Sequence, residues 1–189
     1  PVANGMLTTG GTISATYTDK ISNDGVNSLN INVMGVLANS SYEATAARFT
    51  EATDHIQIPD NDVLDMESYT VEFWVKPLQT NVTVPIIEKG NNFQVSLMPD
   101  GKINAQRVRS DQPLTPNQWS HVAVSYDKAN KNMQIYVNGR LAGERDLKLV
   151  SEPFGTNDQP VTIAKAVNGQ GFKGSLDEVR IWNKARTSS

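Results

Sequence analysis

Seven residues, "TVEFWVK" from Thr70 to Lys76, limit what this chain can become. Val71, Phe73 and Val75 alternate with Thr70, Glu72, Trp74 and Lys76. A period of two puts the two sets on opposite faces of an extended strand and forms no stripe on a helix. The pattern recurs in "FQVSL", where Phe93, Val95 and Leu97 alternate with Gln94 and Ser96. In "QWSHVAVSY", Val122, Val124 and Tyr126 oppose Trp119, His121, Ala123 and Ser125. "PDGKINAQ" sets a Pro99-Asp100-Gly101 turn ahead of Ile103 and Ala105 and predicts a hairpin with "FQVSL". "NMQIYVNGRLAGE" runs Met133, Ile135 and Val137 into Asn138-Gly139. That dipeptide takes positive φ at both centres of a type I′ turn, so Arg140 to Glu144 should fold back on the preceding strand. "PVTIAKA" and "GFKGSLDEVRIW" supply the last two strands.

No segment sustains a helical apolar stripe for three turns, and Gly, Pro and Asn clusters punctuate the chain at intervals of roughly 8–12 residues, as in a sandwich or barrel. The reading is all-β. The first 45 residues are rich in Thr, Asn, Ser and Gly, with alternation only around "LNINV", and read as loops with one or two edge strands of the same domain, a disordered leader being the competing reading. A length of 189 residues suits one domain over 1–189, burying about 70 % of the unfolded surface. A net charge of −3 gives no basic field for phosphate backbones and argues against nucleic acid. No apolar run approaches the ~20 residues that span a bilayer, so membrane insertion is not expected. The absence of cysteine excludes disulfides and thiolate metal sites.

The stretch "GSLDEVRIW" poses a separate problem. Simple alternation puts Asp177 in line with Val179 and Ile181, against Leu176, Glu178, Arg180 and Trp182. A buried carboxylate without a partner costs several kcal/mol, so Asp177 should lie near a rim, accept backbone N–H bonds, pair with a cationic side chain or bind a metal.

The segments "RFTEATDHIQIPD", "YTVEFWVKP", "IIEKGNNFQVSLMPDGKI", "NQWSHVAVSYD", "IYVNGRLAGE", "VTIAKA" and "FKGSLDEVRIWNKART" occur in the order and spacing of laminin-G-like, concanavalin A-like jelly-roll domains, which the chain resembles from Arg48 to Thr187. The resemblance implies a two-sheet antiparallel β-sandwich, one sheet concave. It also implies a calcium ion at the sandwich edge, held by Asp177, by the carbonyl region of Phe49 and Thr50, and by Asp19 in the first loop, with Asn23 or Asp24 as substitutes. Calcium suits such a set because it takes 6–8 oxygen ligands in flexible geometry, main-chain carbonyls included.

Catalysis is not expected. Polysaccharide-cleaving relatives of this fold carry Glu-x-Asp-x-x-Glu or Glu-x-Asp-x-Glu on one strand, and no such run is present in the sequence. His55 and His121 read as ordinary strand residues, and no Gly-x-Ser-x-Gly elbow exists. Binding remains, with Trp74 on a polar strand face and with Asn104 and Gln106 on one side of "INAQRVR" as candidate glycan contacts. Trp119 and Trp182, at strand ends, are expected to seal the sandwich. The chain is expected to be a non-catalytic carbohydrate-binding domain of a larger extracellular or cell-surface protein. A protein-binding, adhesive or architectural module, whose partner is a cell-surface or matrix protein, is the competing class. The calcium expectation predicts a higher thermal midpoint with calcium than with a chelator, since an ion at a hundredfold excess over its dissociation constant adds about 2.7 kcal/mol. Equal midpoints would count against the site.

Overall fold

The alternating segments form two facing sheets in the computed structural model, which describes residues 12–14, 28–31, 46–78, 80–148 and 155–187. The strands are β1 (Thr12–Ser14), β2 (Ser28–Ile31), β3 (Ala47–Phe49), β4 (His55–Ile58), β5 (Tyr69–Pro77), β6 (Val84–Lys89) and β7 (Phe93–Leu97). They continue with β8 (Ile103–Ala105), β9 (Val108–Arg109), β10 (Ser120–Asp127), β11 (Asn132–Val137), β12 (Arg140–Asp146), β13 (Val161–Ile163) and β14 (Gly174–Trp182). The only helical turn among the described residues is a 3-10 turn at Asp62–Leu64, capped by the Asn61 side chain. The front sheet runs β12-β11-β10-β5-β14-β2 with β3 beside β14, and the back sheet runs β1-β4-β13-β6-β7-β8-β9.

The anticipated hairpins form. Ser96 faces Asn104 across β7 and β8, and Asn138 and Gly139 both take positive φ, 50° and 77°, between β11 and β12. β2 and β1 lie at sheet edges, as "LNINV" suggested for the amino-terminal part. One pair departs from a purely antiparallel sandwich: β1 runs parallel to β4, Thr12 opposite His55. Strands distant in sequence are free of the antiparallel direction that a hairpin imposes.

The core lies between the sheets. Val71, Phe73 and Val75 of β5 are fully buried, as are Val122, Val124 and Tyr126 of β10, against Phe93, Val95 and Leu97 from the back sheet. Each such side chain contributes about 1.5–3 kcal/mol of burial. Tyr69 closes one end of this layer, with ring centroids 5.6 Å from Phe93 and 5.7 Å from Tyr126.

Simple alternation fails in β14. Leu176, Val179 and Ile181 are all buried, so the step from Leu176 to Val179 spans three residues. The ladder shows why: Asp177 faces Trp74 and Arg180 faces Glu72, which leaves Glu178 and Val179 together opposite Phe73. Glu178 absorbs the extra residue at a φ of +51°, and its N–H donates to Asp177 Oδ1 at 2.8 Å. This is a β-bulge, which doubles one residue and reverses the face of everything beyond it. Asp177 is therefore not in line with Val179 and Ile181. Ahead of the bulge, Gly174 sits so close to β5 that a Cβ would run into the Lys76 carbonyl; only glycine fits there.

A buried ammonium ties two loops to the back sheet. Lys89, at the end of β6, has no exposed side-chain surface, and its Nζ donates to Asp60 Oδ1 at 2.7 Å and Asp65 Oδ1 at 2.9 Å. A third bond goes to the Asn157 carbonyl. Burial pulls the Lys89 pKa down, but the hydrogen bonds and charges of Asp60 and Asp65 outweigh it and hold it above the ordinary value. A lysine pKa raised by folding leaves its stabilisation intact below about pH 10.4, to be lost only as pH rises beyond that. Lys89→Ala would leave two largely buried carboxylates without a cation. The expected loss is about 3–5 kcal/mol of unfolding free energy near pH 7, measured by urea denaturation.

Candidate functional site

Because β5 gives its apolar row to the core, Glu72, Trp74 and Lys76 must emerge on the outer face of the front sheet. The neighbouring strands complete the patch by register. On β10, His121 faces Trp74 and Ala123 faces Glu72. On β14, Arg180 faces Glu72 and Trp182 faces Thr70.

Glu72 is the hub of this face. Its Oε1 accepts the indole N–H of Trp182 at 3.0 Å and stands 3.9 Å from Arg180 Nη1. Its Oε2 stands 3.8 Å from His121 Nε2. Arg180 also donates to Glu178, on its own strand. Trp74 meets the His121 ring edge-on at a centroid distance of 5.5 Å and an angle of 62°, and 41 % of Trp74 is exposed. Burial pulls the His121 pKa below its ordinary value; Glu72 pushes it up and Arg180 pushes it down, both by less. The arrangement offers an accessible indole face beside a carboxylate, an imidazole and a guanidinium. Those groups suit a ligand with C–H surface on one side and hydroxyls at its edge.

The indoles at strand ends do not seal the core as expected. Trp182 lies on the outer face, bonded to Glu72 and covered by the Arg186 guanidinium, 4.2 Å above its ring. Trp119 is 42 % exposed, two residues before His121. The cause is parity: Trp182 sits on the polar side of β14, and Trp119, just ahead of β10, keeps the phase of that strand's polar side, while the apolar sides are already filled.

The three candidate glycan contacts do not converge. Trp74 belongs to the front sheet, whereas Asn104 is in β8 of the back sheet, opposite Arg109. Gln106 leaves the strand at a φ of +45°. Its side chain turns to the rim, where it donates to the Asn91 carbonyl at 3.1 Å and stands 3.4 Å from the Tyr69 hydroxyl. Asn104 and Gln106 thus share neither a face with Trp74 nor a direction with each other. His121 was not distinguished by sequence from any other strand histidine, although its place opposite Trp74 follows once β5 and β10 are paired.

The metal candidates are also dispersed. Asp19 and Asn23, with Asp24, lie outside the described residues. Thr50 donates its N–H to Asp54 Oδ2 at 2.8 Å, just beyond the Phe49–Gly174 pairing. Asp177 lies past the other end of that ladder, about 13 Å away along the strand at roughly 3.3 Å per residue. Thr50 and Asp177 do not fit around one ion, and among the described residues no three His, Asp or Glu side chains cluster. Asp177 borders a small apolar cavity lined by Ala47, Phe49, Ile56, Leu176 and Val179. Burial pushes its carboxyl pKa up, opposed by the Glu178 N–H.

A larger cleft of about 360 Å³ opens where Pro77, Leu78 and Met98 meet Pro113, Leu114 and Pro116. Its lining contains no aromatic ring, so it offers no stacking platform.

Comparison with known proteins places the chain by class: residues 50–189 match the family description "Concanavalin A-like lectin/glucanases superfamily", of the laminin G type. The chain belongs to that family. Among solved structures, domain 4 of an extracellular arabinanase from Geobacillus stearothermophilus, in complex with arabinotriose, is 25 % identical, with a TM-score of 0.59 over 76 % of this chain and 72 % of that one. The carbohydrate-binding module of a Ruminococcus gnavus intramolecular trans-sialidase, bound to α2,3-sialyllactose, is 16 % identical, with a TM-score of 0.58 over 75 % and 91 %. A heptameric pentraxin from Limulus polyphemus is 18 % identical, with a TM-score of 0.54 over 70 % and 69 %. No match was found among curated proteins.

His121 carries a prediction about stability. A histidine whose pKa is lowered by folding binds fewer protons in the native state, so stability is full above its ordinary pKa near 6.5 and falls as pH drops below it. Unfolding free energies measured from pH 7.5 to 4.5 should show this decline, and His121→Gln should make it shallower.

Proposed function

We propose that this chain is a non-catalytic glycan-binding module of a larger extracellular or cell-surface protein, and that it binds through the outer face of the front sheet. One observation carries the proposal: an indole 41 % exposed on a strand centre, Trp74, with the His121 ring against its edge and Glu72 as the next outward residue. The pleat accounts for the exposure itself, and what marks Trp74 out from the equally exposed Trp119 is the carboxylate and imidazole beside it, which together suit a ring-shaped ligand. The carbohydrate-binding neighbours support the same class.

A hydrolytic role is disfavoured by the company Glu72 keeps. Retaining glycosidases need a second carboxyl about 5–5.5 Å away and inverting ones about 6.5–9.5 Å. The residues directly opposite Glu72 are Arg180 on one side and Ala123 on the other. One oxygen of its carboxylate, Oε1, is committed to the Trp182 indole.

Calcium at the sandwich edge enters the proposal through Asp177 alone among the described residues. Its charge is disfavoured by apolar neighbours, a penalty that a nearby cation would relieve. Screening on a glycan array with calcium present, for the wild type and Trp74→Ala, tests the reading. Binding to at least one glycan class, weakened about tenfold or more by Trp74→Ala, is expected, because loss of stacking and its buried area exceeds about 1.4 kcal/mol. Silence across the array would favour an adhesive or architectural module.

A further inference from the structure

Glu72 and His121 make a pair that does not close. At 3.8 Å, Glu72 Oε2 and His121 Nε2 are too far apart for a direct hydrogen bond. A single hydroxyl or water oxygen sitting to one side of that line could lie within bonding distance of both. Both groups are largely covered, with side-chain exposures of 16 % and 27 %, so the gap is a notch in the face and not a loose surface encounter. Its wall is Trp74, whose ring meets His121 edge-on. A sugar ring stacked on that indole carries hydroxyls in its own plane, at its periphery, which is where the notch lies.

Charge decides the class of sugar. Glu72 lies in the notch itself. Arg180, the nearest guanidinium, is engaged by Glu178 and faces Glu72. Asp177 lies opposite Trp74 on the other flank. A carboxylated sugar would meet these acids with Lys76 as the one basic side chain on β5 beside them among the described residues, whereas a neutral sugar meets no such repulsion.

Resting on the glycan-binding reading above, we propose that the Glu72–His121 gap reads one hydroxyl of a neutral sugar stacked on Trp74, and that protonation of His121 releases the sugar by closing the gap. In the neutral pair, a ligand hydroxyl donates to Glu72 Oε2 and accepts from His121 Nε2–H. An imidazolium is drawn onto the carboxylate as a direct ion pair, and the bridging position is lost. The other groups around His121 leave this logic in place. On β5, Lys76 is its diagonal neighbour by register, and Arg180 of β14 favours the neutral ring. On β11's side, Asn138 accepts the His121 backbone N–H at 2.8 Å through Oδ1, and Tyr136 faces Ala123.

Isothermal titration of the whole chain with arabinotriose and cellotriose as neutral probes and 3′-sialyllactose as the acidic one, at pH 7.5 and pH 5.0, tests the proposal. A neutral probe should bind at pH 7.5 and weaken about tenfold at pH 5.0. His121→Gln should bind it more weakly at pH 7.5 with no further loss on acidification. Nuclear magnetic resonance titration of the His121 ring in the wild type should show its protonation shifted to lower pH by the bound sugar, a readout that does not depend on any variant folding. Neutral-sugar binding that is the same at both pH values, or an unchanged pH dependence in His121→Gln, would overturn the notch and leave the glycan reading standing. Preference for 3′-sialyllactose would overturn the neutral class. Absence of binding to all three probes at both pH values would overturn the inference, while the reading beneath it falls only with silence across the glycan array.

Discussion

One strand dictates the molecule. β5 must give Val71, Phe73 and Val75 to the core, since these residues lie at its centre with no exposed surface. The pleat then leaves no choice for the residues between them, and Glu72, Trp74 and Lys76 share the opposite face. Core and candidate site are thus two sides of one alternation. Replacing an inner residue disturbs the platform beneath the outer ones, and inserting a residue would exchange the two sets.

This explains which features were legible in the sequence. Period-two segments and the Asn138-Gly139 turn depend only on neighbours in the chain, so the strands and their hairpins could be read directly. Asp177 could not be placed the same way, because counting by twos assumes that every residue advances the pleat. Glu178 breaks the count by taking positive φ, and nothing about a glutamate announces that. Gln106 misleads for the same reason: it reads as the next residue of a strand, yet it turns at the rim and bonds to Asn91 and Tyr69. The convergence of Trp74, His121, Glu72, Arg180 and Trp182 comes from three strands far apart in sequence. Their pairing, not their spacing, makes the site.

Lys89 and Glu72 show two uses of a buried or half-buried charge. The Lys89 ammonium is enclosed by two carboxylates and a carbonyl and tethers the loops around Asp60, Asp65 and Asn157. Such a closed set stabilises the rim and offers a ligand nothing. Glu72 has one oxygen bonded to Trp182 and the other facing an imidazole across a gap, so its capacity is unfilled on the side that borders Trp74. Incomplete satisfaction beside an exposed ring sets the proposed recognition surface apart from a structural clamp.

The proposed binding surface is the outer face of the front sheet. It is tested most directly by mapping backbone amide shifts on adding the array-selected glycan to isotopically labelled protein. The largest shifts are expected on residues 72–76 of β5, on His121 and its neighbours in β10, and around Arg180 in β14. Shifts confined to the rim around Asn91, Gln106 and Asn157, or to the proline-lined cleft, would contradict it.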